Sequence, residues 1–92
     1  MSTTQNSVVA VQANRWRQVF WRFAVPPWAS IRVTSNGANF RWRMVGAGAP
    51  FVIEGGPQTV LNSPLGWAGG YVEVLVRAEV NTAVTVVAQG LI

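Results

Sequence analysis

The sequence contains no histidine, cysteine, lysine or aspartate, and its three carboxylates are Glu54, Glu73 and Glu79. Each absence removes a kind of chemistry. Without histidine no side chain has its ordinary pKa near neutrality, and no serine has an imidazole base. Without cysteine there is no disulfide, no thiol nucleophile and no Cys/His metal site. Glu73 and Glu79 fall on one face of a strand-like run, separated by about 20 Å at the usual strand rise. A glycosidase pair needs about 5–9.5 Å. Gly46-Ala47-Gly48 and Gly55-Gly56 lack the lysine and following helix of a phosphate-binding loop. The expectation is a protein that is not an enzyme and that uses no metal or cofactor. Long apolar runs are also missing. None approaches the 18 or so residues of a membrane-spanning helix. Residues 1–7 carry no basic stretch followed by an apolar one, so a soluble protein without a secretory signal is expected.

What remains is rich in contact-making groups. Half of the 92 residues are apolar before nine glycines are counted, and 11 % are charged; the usual figures are about 45–50 % with glycine included, and about 25 %. One small core cannot hide that much apolar surface, and monomers rarely leave large apolar patches in water. Either alanine and glycine inflate the figure or part of the surface faces a second copy or another protein. Five tryptophans and seven arginines stand in the chain, and its net charge is +4. A surface charged wholly by arginine attracts anions and suits bidentate or stacked contacts. A GC-rich coding sequence would produce the same preference.

Short runs of valine and aromatic residues alternate with Gly, Pro, Asn and Ser clusters, the punctuation of strands and turns. No window shows a helical period. The fold class expected is all-β: a small antiparallel sandwich, jelly-roll-like, with about eight short strands. Residues 1–7 read as a flexible arm and residues 8–92 as one domain. The strands expected are 8–13, 17–25, 30–34, 39–45, 51–54, 58–61, 71–80 and 82–89, with a type I turn at Ser63-Pro64-Leu65-Gly66. From Tyr71 the alternation is strict: Val72, Val74, Val76, Ala78 and Val80 point to the core, and Glu73, Leu75, Arg77 and Glu79 point away. The last strand is apolar on both sides and is followed by Leu91-Ile92. It either lies centrally or sits in a subunit interface.

Asn36-Gly37 is the preferred pair for a two-residue type I′ hairpin. That turn would put Val33 opposite Phe40 and Ile31 opposite Trp42. On the other face it would set Arg32 against Arg41, with Arg43 beside them. Like charges directly opposed destabilise a sheet. Such a cluster calls for anions, from Glu73 and Glu79, from a neighbouring subunit or from an external partner. In the second strand Trp16, Phe20 and Arg22 share a side, opposite Val19, Trp21, Phe23 and Val25. They form either core or a contact patch of the kind enriched at interfaces. Trp67 and Tyr71 flank Gly69-Gly70, where they either plug the end of the sandwich or offer a stacking platform.

The function expected is a structural, assembling protein that oligomerises or decorates a larger particle; a virion component has this size and texture. Candidate interaction residues are Trp16, Phe20, Arg22, Arg32, Arg41, Arg43, Trp67, Tyr71, Leu91 and Ile92. Two other classes compete. A lectin-like carbohydrate-binding module would use the tryptophans, but the chain has no aspartate for sugar hydroxyls. A nucleic-acid binder would combine arginine with stacked tryptophan, but +4 is modest.

Overall fold

The computed structural model describes residues 4–47, 52–68 and 70–92. Eight strands run in chain order: β1 (Thr4–Val11), β2 (Arg17–Phe23), β3 (Ser30–Ser35), β4 (Phe40–Gly46), β5 (Val52–Gln58), β6 (Val60–Pro64), β7 (Tyr71–Ala78) and β8 (Thr82–Gln89). A single 3-10 turn, Gly66–Ala68, interrupts them. The first sheet has the order β1-β8-β3-β6 and the second the order β2-β7-β4-β5, with every pairing antiparallel. Successive strands therefore change sheet, except the pair β4 and β5. This is the two-sheet jelly roll.

Alternation builds the core. Val72, Val74, Val76 and Ala78 of β7 face Val84, Val86 and Ala88 of β8 across the sandwich, and all are buried. Ile31 and Val33 come from the first sheet, Phe40 and Met44 from the second. The slab measures 35 × 30 × 16 Å between Cα atoms, which leaves room for one layer of interlocked side chains.

Several expectations are corrected. The arm expected over residues 1–7 contributes Thr4 to Ser7 to β1, where Thr4 pairs with Gln89. Residues 1–3 lie outside the described residues, as do Phe51, expected to open a strand, and Gly48 to Pro50 and Gly69, expected in loops. The Ser63-Pro64-Leu65-Gly66 segment is not an isolated turn, because β6 continues through Pro64. β7 ends at Ala78, and Val80 is exposed in the turn that follows. β8 is a central strand between β1 and β3, one of the two places expected for it, and its outer side carries Ala83, Thr85 and half-buried Val87.

The Asn36-Gly37 hairpin does not form. Gly37 has φ +90°, but Asn36 is not among the residues with positive φ, so the type I′ geometry is absent. The Ser35 amide donates to the Thr59 carbonyl, and its hydroxyl donates to Ala38 O. The chain then crosses to the other sheet. Val33, Ile31, Phe40 and Met44 do share one core, from opposite layers. The outward arginines of β3 and β4 consequently lie on opposite sides of the molecule.

Candidate functional site: the outer face of the second sheet

Register places the side chains of this face in rows. Phe23 of β2 lies beside Tyr71 of β7. The next row is Trp21, Glu73, Val45 and Val52, and the next Gln18, Leu75, Arg43 and Glu54. The last pairs Arg77 with Arg41. Aromatic residues thus collect toward one end and arginines toward the other.

The aromatic end depends on a bulge. Pairing of β2 with β7 slips between Gln18 and Phe20, so that Val19 and Phe20 are both buried. One extra residue inverts the sides of everything after it. Phe20 therefore enters the core and is not a contact residue. Arg22 follows it and is half-buried at the sheet edge. Trp21 and Phe23, which strict alternation sets on the same side as Val19, are 54 % and 66 % exposed on the opposite one. Their rings meet edge-to-face at 5.6 Å, and Phe23 lies 4.9 Å from Tyr71. The Tyr71 phenol is held above its ordinary value, first by lost solvation and then by the charge and hydrogen bond of Glu73. Gln18 Nε2 also donates to Glu73, which fixes that carboxylate between the two ends.

At the other end Arg41 stands directly opposite Arg77 across β4 and β7, and both are exposed. The like-charge opposition expected at Arg32 and Arg41 is thus present with a different partner. Arg43 is satisfied within the chain: its Nε lies 2.7 Å from Glu54 Oε1, and its guanidinium sits 4.5 Å from the Trp16 ring centre. That stacking lays half-buried Trp16 against the sheet. Trp42 packs at the core margin, with its indole N–H donating to Gln58 at 2.9 Å. A Cβ on Gly55 would fall 2.5 Å from the Trp42 ring, so this position has no room for a side chain.

Three shallow clefts adjoin here. One of about 250 Å³ is lined by Asn14, Arg41, Arg77 and Glu79, and one of about 270 Å³ by Trp16, Arg41 and Glu54. A third of about 340 Å³ is lined by Arg15, Trp16 and Arg17. Trp16 and Arg41 are shared between neighbouring clefts. Five arginines against two glutamates give this end three of the four net positive charges.

The remaining candidates lie elsewhere. Arg32 is on the outer face of the first sheet, where its Nε donates to Asn62 Oδ1 at 3.0 Å. It lines a polar depression of about 460 Å³ with Ser30, Pro64 and Gln89. Trp67 packs on the core from the 3-10 turn, and a Cβ on Gly46 would lie 2.9 Å from its ring. It plugs that end and offers no platform. Leu91 is buried and cannot meet a partner, whereas Ile92 is exposed and its carbonyl accepts from the Trp28 indole at 3.2 Å. Trp21, Phe23 and Arg77, all exposed on this face, were not among the residues the sequence singled out. Alternation gave no sign of the bulge, and Arg77 becomes notable when β4 is its neighbour. Among the described residues no group of three or more His, Cys, Asp or Glu side chains could hold a metal, and no helix is long and apolar enough to cross a membrane.

No protein-family model matches the sequence, and no curated protein matches it. Solved structures do resemble the fold. CapF, in a crystal structure with the inhibitor 3-isopropenyl-tropolone, matches 96 % of this chain at a TM-score of 0.56 and 16 % identity. The chain spans 24 % of that protein's length. A de novo designed double-stranded β-helix matches 91 % of this chain and 95 % of its own, at a TM-score of 0.51 and 13 % identity. A protein of Bacillus endospore appendages, described as disulfide-linked pili, matches 99 % of this chain and 88 % of its own, at a TM-score of 0.53 and 10 % identity. At these identities the likeness defines the fold, a small double-stranded β-helix or jelly-roll sandwich.

Proposed function

We propose that this chain is a non-enzymatic structural protein that assembles through the outer face of its second sheet, with further copies or on a larger particle such as a virion. The observation that carries the reading is the aromatic cluster of Trp21, Phe23 and Tyr71. Two of its three rings are more than half exposed although each touches its neighbour. Water is a poor environment for such a patch, and large exposed apolar groups rimmed by polar ones mark contact sites. The appendage protein named above shares the fold and is part of a pilus. With no cysteine here, the corresponding assembly would be non-covalent.

Light scattering coupled to size exclusion tests this directly. The wild type should exceed its 10.0 kDa monomer mass as concentration rises, and the Trp21→Ser/Phe23→Ser variant should shift toward the monomer. A wild type that stays monomeric up to millimolar concentration would remove assembly between copies and leave only attachment to a larger particle.

A second reading is carried by the opposed Arg41 and Arg77. A chain of phosphates crossing the three clefts would relieve their repulsion, and a base could stack near Trp16. Single-stranded oligonucleotide binding that falls steeply with salt is its signature. The lectin-like reading is weakened because Trp67 is a plug.

A further inference from the structure

A two-sheet sandwich has four edge strands, and each exposes unpaired backbone groups. Three of the four are blunted here. β2 carries Arg17 and Arg22 and is broken by its bulge at Val19. β5 contains Gly55-Gly56-Pro57, and its register with β4 slips as well. β6 is five residues long and ends in Pro64. β1 has no such device. Its eight residues, Thr4 to Val11, hold no charge, proline or glycine. They pair with β8 without a slip from Thr4↔Gln89 to Val11↔Thr82. It ends the first sheet, and no strand among the described residues covers its free side. Val8 points outward from it and is 72 % exposed.

We propose that the free side of β1 is a pairing edge for β1 of a second copy, running antiparallel about a two-fold axis near Val8. This joins the two first sheets into one continuous sheet of eight strands. It rests on the assembly reading above and names one contact within it. The occupant is a second copy because a two-fold contact must be self-complementary. An uncharged strand meets itself without opposing like charges, which β2, with Arg17 and Arg22, could not do. On the inner side, half-buried Ser7 and Val9 would gain cover from their counterparts. On the outer side the exposed Val8 side chains would meet. The edge lies in one sheet and the aromatic cluster on the face of the other. One molecule can therefore use both contacts, and the assembly can grow beyond a pair.

The cysteine-free chain makes the test clean. Single cysteines are placed at the outward positions of β1, as Asn6→Cys, Val8→Cys and Ala10→Cys, with Val60→Cys on the edge strand β6 as control. Directly opposed strand residues lie about 4.5–5.5 Å apart at Cα, within disulfide reach. In an antiparallel self-pair with its two-fold axis at Val8, position 8 faces its own counterpart and Asn6 faces Ala10. Oxidation should then give a covalent dimer peaking sharply at that position, Val8→Cys by this geometry, and little at Val60→Cys. In parallel, Val8→Lys, a charge of the kind that protects natural edges, should abolish the edge-paired dimer while leaving the far-ultraviolet spectrum of the monomer unchanged. If the wild type assembles but cross-linking is no greater along β1 than at Val60→Cys, and Val8→Lys assembles as the wild type does, the edge proposal is overturned and the assembly reading stands. A wild type monomeric throughout overturns both the edge proposal and assembly between copies.

Discussion

The two outer faces of this sandwich enclose one core yet differ almost completely. That of the first sheet, among the described residues, mixes small polar and aliphatic side chains (Thr4, Asn6, Val8, Ser30, Thr34, Val60, Asn62, Ala83, Thr85, Val87 and Gln89) without an aromatic ring, and its lone charge is Arg32. That of the second holds Trp21, Phe23, Tyr71, Arg41, Arg43, Arg77, Glu54 and Glu73. Inward positions are nearly interchangeable, dominated by valine on both sheets. The fold fixes the inside of both layers alike and leaves the outside free. On the assembly reading proposed above, the uneven distribution of exposed aromatic groups reflects what the protein contacts, while Arg43 with Glu54 and Trp16 also ties the face together.

The contrast can be broken most forcefully within β2. Phe20→Ala should cost about 3–5 kcal/mol, as for a buried phenylalanine. Phe23→Ala, three residues on, should cost less than about 1 kcal/mol because its ring is already mostly wet. Urea denaturation of the two variants checks the bulge directly; equal losses would return Phe23 to the core. Next in size is the pair at Arg43. Arg43→Gln loses an exposed ion pair to Glu54, worth at most about 1 kcal/mol, and a cation–π contact of about 0.5–1 kcal/mol. It should be modestly destabilising and should free the Trp16 ring, seen as red-shifted fluorescence. On the same face Arg77→Gln should act oppositely, stabilising by about 0.2–1 kcal/mol through relief of its opposition to Arg41. That gain should vanish at high salt.

The smallest effect concerns Tyr71, the sole tyrosine. Its phenol is raised by lost solvation and by Glu73, so an ultraviolet titration should have its midpoint above the ordinary value of 10.0. Glu73→Gln should move it back down. The sign for stability follows. The neutral phenol favours the folded state, so its contribution is intact below the unfolded pKa and is lost as pH rises through the folded one. A midpoint unchanged by Glu73→Gln would separate the carboxylate from the aromatic cluster.

Much of the fold was legible because period-2 alternation in β7 and β8 is a direct consequence of one buried face, and 82–89 matches β8 at both ends. Inside and outside were right for Ile31, Val33 and Phe40. The pairing of β3 with β4 was not, because Asn-Gly describes a local turn and cannot say whether the chain stays in its sheet. The site suffered from the same limit. Strict alternation put Phe20 on the side of Trp16, and Trp21 and Phe23 on the side of Val19, and one unpaired residue, Val19, exchanged those sides. A bulge is decided by the neighbouring strand, β7, which the sequence of β2 does not contain. Arg41 and Arg43 do share an outer face, but Arg32 was placed with them and Arg77 was not, and Trp16, grouped with Phe20 and Arg22, lies instead against Arg43.

Hydroxyl-radical footprinting of dilute and concentrated protein tests most directly whether the face of the second sheet is where molecules meet. Trp21 and Phe23 should lose reactivity as concentration rises, while Trp28, as exposed as Phe23 but in the loop after β2 with its indole on the Ile92 carbonyl, should keep its own. If Trp21 and Phe23 react as readily in concentrated solution as in dilute solution, the aromatic cluster is not an assembly surface.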